Sequence, residues 1–340
     1  MKKLKEYLKL SGVALTFKGK TVLVTGAGGS IGSEICAKLL SLGVEKLKCY
    51  DISEYSLYRL SKIVGDDDRA RYLIGDVRDI NRLERAVVDS DIVIHAAALK
   101  HVKFCEFNPD EAYKTNIQGT QNVVDACRQQ NTPHCLLIST DKAVNPTSVM
   151  GTTKLLAEKL FLNAPERSTP KPGKETTKFT VVRFGNVFGS AGSVIETFYQ
   201  QIKIGKKLTL TDENISRYFI SIEEAVSLVL DCIPLSEKEI RTPIFILRMK
   251  KAKIKTIAER MFHALGREGS LDFNITGLSW GEKFDEQLYT VFEKKSARVE
   301  GNYVVIGPDT QDNLFEDEEE FMPEEEIDVL VEEWLRKNER

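Results

Sequence analysis

Asp141 and Lys142 stand side by side after the apolar run HCLLIST, with Thr140 before them and Lys154 beyond them on a helical pattern. A carboxyl and an amine at one strand end can give and take protons on neighbouring atoms of one substrate, which is general acid–base chemistry. Lys142 serves as a base only if burial or cationic neighbours depress its pKa. A second constellation lies at the start of the chain, where Thr25-Gly26-Ala27-Gly28-Gly29-Ser30-Ile31-Gly32 runs from a Val-rich strand into a helical pattern. In that context the glycines have separate tasks. Gly26 permits the tight turn, Gly29 admits a pyrophosphate to the backbone, and Gly32 lets helix and sheet approach, while the helix start at Ser30 and Ile31 faces the phosphates. Asp51 closes the second apolar run, where a carboxylate accepts hydrogen bonds from the adenosine ribose and repels a 2′-phosphate. The expected cofactor is therefore NAD in preference to NADP, with Arg59 as the alternative partner for a phosphate. Asp76 ends the third run, as an adenine contact or as a cap of the next helix.

These groups need a scaffold that brings strand ends together. The segments TVLVTG, SEICAKLLSLG, KLKCYD, ARYLIGD, DIVIHAAA, AYKTNIQGTQNVVDACRQQ, HCLLIST and FTVVRFG alternate short apolar runs with helix-period stretches, and residues 149–163 supply a further helical pattern. This predicts an α/β fold, a Rossmann-type doubly wound parallel sheet with ligands at the carboxyl ends of its strands. Residues 1–186 are assigned to this NAD-binding domain, with 218–235 returning to it. Residues 187–217 and 236–340 are assigned to a smaller α/β substrate-binding lobe. The stretch 166–178 reads as a surface loop, and the acidic stretch 312–326 as a solvated flank of the last helix.

Composition narrows the function. The 340 residues are 42% hydrophobic, enough for one or two packed domains. A net charge of −3 with both signs dispersed leaves no basic footprint for nucleic acid or an anionic membrane. Cys36, Cys49, Cys105, Cys127, Cys135 and Cys232 are scattered, with no metal-ligand spacing, which predicts buried thiols and no metal. The first twenty residues lack an apolar stretch of signal-peptide or membrane-span length, so a cytoplasmic protein without a membrane partner is expected. Leu4, Tyr7 and Leu8 fit a short amphipathic helix packed on its own domain or a sister subunit.

With these motifs in place, the chain resembles the UDP-N-acetylglucosamine 4,6-dehydratases of bacterial surface-polysaccharide and nonulosonic-acid pathways, within the extended short-chain dehydrogenase/reductase superfamily. The likeness is carried by TGAGGSIGSE, by GDVRD with Asp76 and Val77, and by HAAALKHV with Ala96, Ala97 and Lys100, followed by Glu106 and Pro109. It continues through the Asn116 segment, STDKAVNP, Lys154, VRFGNVFGSAGSV, SRYFISIEEAV and GEKFDEQL, from residue 21 to about 290. The resemblance implies an internal redox cycle. Hydride passes from sugar C4 to the cofactor, the C5 proton is removed, water leaves from C6, and hydride returns to C6. It also implies that Asp141 protonates the departing C6 hydroxyl, Lys142 takes the C5 proton, Thr140 orients the sugar and Lys154 holds the nicotinamide ribose. For the substrate it implies Lys100 on the sugar or its phosphates, Asn186 on the nucleotide-sugar and Arg217 on the diphosphate, with Glu282 in the GEK segment.

Two departures stand out. Met150 occupies the place where the superfamily carries a tyrosine, and a thioether cannot deprotonate the C4 hydroxyl. Asp141, directly or through a water, is expected to take that proton. Ser279-Trp280 replaces the Arg-Pro that ordinarily precedes GEK. The rival readings are a nucleotide-sugar 4-epimerase and a non-catalytic NAD-binding sensor or scaffold. The Asp141-Lys142 pair argues against the first, and its retention together with Lys154 against the second. Uridine or guanosine diphosphate, the C5 configuration and the product's destination stay open, and a homo-oligomer is expected.

Overall fold

The computed structural model describes residues 13–165, 176–269, 271–307 and 319–338. The expected N-terminal amphipathic helix, most of the 166–178 loop and residues 312–318 of the acidic stretch lie outside them. Six parallel strands form the expected unit: β1 (Thr21–Thr25), β2 (Lys46–Asp51), β3 (Ala70–Ile74), β4 (Ile92–His95), β5 (His134–Thr140) and β6 (Lys178–Phe184). They lie in the order β3-β2-β1-β4-β5-β6, the doubly wound arrangement whose switch point falls between β1 and β4.

Strand alternation builds two cores at once. Val22, Val24, Ile92 and Ile94 face the helices Ser30–Ser41 and Ile222–Ser236, whereas Leu23 and Val93 face Gly119–Gln130 and Val149–Leu162. Because both faces are covered, the central strands β1 and β4 are nearly continuous apolar runs. Ser148 starts the helix Val149–Leu162 by accepting the Gly151 N–H, and Ser221 starts Ile222–Ser236 with a capping box to Glu224.

The sheet extends further than the sequence division allowed. Strands β10 (Ile244–Leu247), β13 (Ala297–Glu300) and β14 (Tyr303–Ile306) were placed in the smaller lobe, yet they continue the large sheet to nine strands. Ile244 pairs with Val181 on β6, and β14 returns antiparallel on β10. The run IFIL is apolar on both faces, and full burial of such side chains stabilises by about 1.5–3 kcal/mol each, which draws the strand to a two-sided layer.

The smaller lobe holds β7 (Asn186–Val187), β9 (Ser216–Ile220) and β11 (Lys251–Lys253) in one sheet, and β8 (Leu208–Leu210) with β12 (Phe273–Ile275) in another. Helices Val194–Lys203, Ile254–Ala264 and Glu324–Asn338 close its core around Phe198, Met261 and Trp334. The described part of the acidic stretch is not merely solvated. Glu319 accepts from buried Lys251 at 2.7 Å and Glu326 from Lys250 at 2.6 Å, which pins this segment to β11. All six cysteines are free and buried, and no helix among the described residues is long and apolar enough to cross a membrane.

Candidate active site

The carboxyl ends of β1, β4, β5 and β6 open into a cleft of about 1710 Å³ that continues onto the smaller lobe. At its first end the glycine turn is held by contacts that tolerate no side chain. A Cβ on Gly26, whose φ is +66°, would stand 2.7 Å from the Ala97 amide nitrogen, and one on Gly32 would stand 2.1 Å from the Gly26 carbonyl oxygen. At Gly29 the corresponding distance to that oxygen is 3.3 Å. Gly28, which the spacing argument passed over, is equally constrained, since a Cβ there would stand 2.4 Å from Ser56 Cβ. Its N–H donates to Asp51 Oδ2 at 2.9 Å, while Asp51 Oδ1 accepts from Ser53 N–H at 2.9 Å. Asp51 thus ties the turn to the end of β2 and still lines the cleft.

Ser30, Ile31, Asp76, Val77, Ala96 and Ala97 line the same wall. Asp76 does not cap the following helix. Asp79 does, accepting from Arg82 N–H, while Asp76 pairs with Arg78 at 2.6 Å and Arg78 in turn reaches Glu111 at 2.6 Å. Arg59 is exposed and lies outside the cleft lining, so the cation nearest this wall is Arg78, already engaged by two carboxylates.

At the other end, Thr140 donates to Asp141 Oδ1 at 2.8 Å and Lys142 Nζ donates to the same oxygen at 3.0 Å. Lys142 Nζ also donates to Asn186 Oδ1 at 3.1 Å and pairs with Glu286 Oε1 at 3.8 Å. Two expectations change here. The charged partners that the structure places on Lys142 are the carboxylates of Asp141 and Glu286, not cations. Asp141 is fully buried and does not itself line the cleft, whereas Thr140 and Lys142 do.

Lys154 is 6% exposed, and its Nζ donates to the Ile138 carbonyl at 2.7 Å. Burial pushes its ammonium down to about 8, against the pull of Glu158 one helical turn on. Met150 lines the cleft and packs with Cys105 and Ala112. Beneath this floor Glu158 accepts from Ser139 Oγ at 2.6 Å and from Arg183 at 2.7 Å, and Arg183 continues to Glu293 at 3.0 Å. His95, fully buried between the hydroxyls of Thr25 and Thr120, is pushed down to about 3 by burial and by Lys154, so it stays neutral.

The residues expected to meet the substrate, Lys100, Asn186, Arg217 and Glu282, all line the cleft. Lys100 donates to the Ala191 carbonyl at 2.7 Å and Asn186 holds Lys142. Arg217 donates to the carbonyls of Phe284 and Lys283 at 2.9 and 2.6 Å and pairs with Glu282 at 3.5 Å, so the arginine and the GEK loop form one unit. Gly28, Arg78, His95, Glu158, Arg183 and Glu286 escaped the sequence reading as site residues. The four-residue spacing from Lys154 is the local signal that finds Glu158. Glu286 has a local partner in Lys283, three residues back at 3.1 Å, but its approach to Lys142 has no local signal, because Lys142 is distant in the chain.

With this geometry in hand, comparison with known proteins is direct. The family described as polysaccharide biosynthesis protein matches residues 22–308. An uncharacterized membrane protein of Methanocaldococcus jannaschii is 40% identical over 329 residues, covering 93% of this chain and 96% of its own. The UDP-N-acetylglucosamine 4,6-dehydratase (inverting) of Campylobacter jejuni is 40% identical over 294 residues, 86% of this chain and 84% of its own. The UDP-glucose 4-epimerase of Rickettsia bellii is 34% identical over 303 residues, 87% and 85% of the two chains. Among solved structures, Pen from Bacillus thuringiensis matches with a TM-score of 0.83 and 35% identity over 93% of this chain and 99% of its own. DesIV, a dTDP-glucose 4,6-dehydratase from Streptomyces venezuelae crystallised with NAD, matches at 0.72 and 19% identity over 94% and 97%, a likeness of fold. The glycine turn, the Asp141–Lys142 strand end and the matched span together make this chain a member of the polysaccharide biosynthesis protein family, built on the short-chain dehydrogenase/reductase fold.

Proposed function

We propose that the protein is a nucleotide-sugar 4,6-dehydratase that converts UDP-N-acetylglucosamine, or its GDP counterpart, to the 4-keto-6-deoxy sugar. The observation that carries this reading is the hydrogen-bonded set Thr140–Asp141–Lys142 at the end of β5, whose Thr140 and Lys142 line the same cleft as the glycine turn and Lys154 with Asp141 buried behind them. The turn fits a dinucleotide, since Gly26 and Gly32 are closed to side chains and Asp51 stands at the adenosine end. When bound, the nicotinamide supplies hydride acceptance at sugar C4 and hydride return at C6.

The chain's own residues move the protons. With Asp141 behind Thr140, the C4 hydroxyl gives its proton to Thr140 Oγ as the Thr140 proton passes to Asp141 Oδ1. This relay supplies the role that the thioether of Met150 cannot fill. Lys142 takes the C5 proton made acidic by the ketone, and Asp141 returns its proton through Thr140 so that the C6 hydroxyl leaves as water. Lys142 then restores a proton to C5 as hydride reaches C6, which closes the cycle with loss of one water. Lys154 and Asp51 hold the two riboses, and Arg217 with Glu282 and Lys100 holds the diphosphate and sugar.

A second reading, a nucleotide-sugar 4-epimerase, is favoured by the relative of that name in Rickettsia bellii. Purified protein incubated with UDP-N-acetylglucosamine, GDP-N-acetylglucosamine and UDP-glucose separates the two. A product lighter by one water, with C5 read by NMR, supports the dehydratase. An isobaric C4 epimer supports the second reading, and bound cofactor with no turnover of any of the three removes both.

A further inference from the structure

Trp280 stands on a turn that the fold builds with care. The Glu282 N–H donates to the Ser279 carbonyl at 3.0 Å, and Glu282 Oε2 accepts the Ser279 N–H at 3.2 Å. Gly281, at the third position, has φ +80°, as a type II turn demands, and Trp280 takes the second position, where proline is common. The turn is fastened to the catalytic side of the cleft. A Cβ on Gly281 would stand 3.0 Å from Ser148 Cβ and 3.1 Å from Glu106 Oε1, Thr147 Oγ donates to the Gly281 carbonyl at 3.1 Å, and Glu106 accepts the Val149 N–H at 2.7 Å.

Glu106 belongs to the helix Val102–Phe107, whose Phe104 and Phe107 are three positions apart and share one face. All three aromatics line the cleft, yet Phe104 is 63%, Phe107 73% and Trp280 87% exposed. Aromatic surface of this size left open at a cleft mouth is a binding surface. Its occupant follows from order along the cleft. Thr140 and Lys142 mark the reacting carbons, and Arg217 the diphosphate. Trp280 lies between Arg217, which its own loop anchors, and Ser148, which precedes Met150 by two residues. That is the sugar's position, not the base's.

Resting on the dehydratase reading, we infer that Trp280 and Phe107 form an aromatic wall against the sugar ring and the methyl of its 2-acetamido group, selecting N-acetylhexosamines over hexoses. Burying one such methyl is worth about 10- to 200-fold in discrimination.

The chain has two tryptophans, and the other, Trp334, is 8% exposed, so emission changes on ligand addition report Trp280. The protein is titrated with the N-acetylglucosamine and glucose diphosphates of the uridine and guanosine series and with UDP and GDP alone. Affinities for wild type, Trp280→Ala and Phe107→Ala are measured by calorimetry, which needs no turnover. The expected result is a blue shift with the acetamido sugar and little with the free nucleotide, and at least a tenfold loss of acetamido preference in Trp280→Ala. A shift of equal size with the nucleotide alone assigns Trp280 to the base and overturns the inference, as does unchanged preference in both variants. Emission already blue-shifted without ligand and relaxing on dilution assigns the patch to a second copy of the chain, which also overturns it. Absent turnover by wild type counts against the dehydratase reading alone, because the binding ratios still decide the wall.

Discussion

Lys142 Nζ and Asp141 Oδ1 lie 3.0 Å apart at the end of β5, while the second oxygen of Asp141 is buried with no hydrogen-bond partner among the described residues. A buried carboxylate oxygen left unpaired is costly, and such a group persists where function needs it. Asp141→Asn keeps the size and one acceptor oxygen but removes the proton-accepting charge. Turnover is expected to fall by about 10²–10⁴-fold with NAD content unchanged, measured by steady-state rates beside the cofactor released on denaturation. Near-normal turnover removes Asp141 from proton transfer.

Lys154 carries a pH signature. With its ammonium pushed down to about 8, Lys154, the proposed donor to the nicotinamide ribose, carries its charge below that pH and loses it above. NAD affinity is expected to be flat below about pH 8 and to weaken above it, and Lys154→Arg, permanently charged, should abolish the inflection even if it binds less tightly. Stability of the cofactor-free protein runs the other way. The unfolded lysine holds its proton up to its ordinary pKa of 10.5, so between about 8 and 10.5 the unfolded state binds more protons, and this group's contribution to stability rises with pH. Isothermal binding and urea unfolding across this range test both signs.

Arg183 and Glu158 form an ion pair of 2.7 Å with both side chains essentially inaccessible. Glu158→Gln or Arg183→Met leaves a buried charge without its full complement, with an expected cost of about 3–5 kcal/mol in urea unfolding. Replacing both with apolar residues of similar volume should recover much of that loss. If the single variants unfold at wild-type denaturant concentration, the network does not support the strand end.

What was legible in the sequence was local. The glycine spacing needs only a turn and the helix that follows it. The doubly wound parallel sheet follows from the alternation of apolar runs and helical periods, and Asp141 and Lys142 are placed at a strand end because HCLLIST stops beside them. Asp79, three residues past Asp76, shows the grain of such readings. Either aspartate satisfies a capping pattern, and only the observed bond to Arg82 decides which does.

The amino-acid sequence by itself determined the doubly wound sheet, the glycine turn and the adjacency of Asp141 and Lys142 at a strand end, because each is written in contiguous residues or a short period. Only the tertiary structure decided that Asp141 lies behind Thr140, that Glu286 reaches Lys142, that β10, β13 and β14 belong to the large sheet, and that the turn carrying Trp280 abuts Ser148 and Glu106. Each of these joins segments far apart in the chain, and burial and pairing between distant segments are settled when the whole core packs, not by any one segment's propensity.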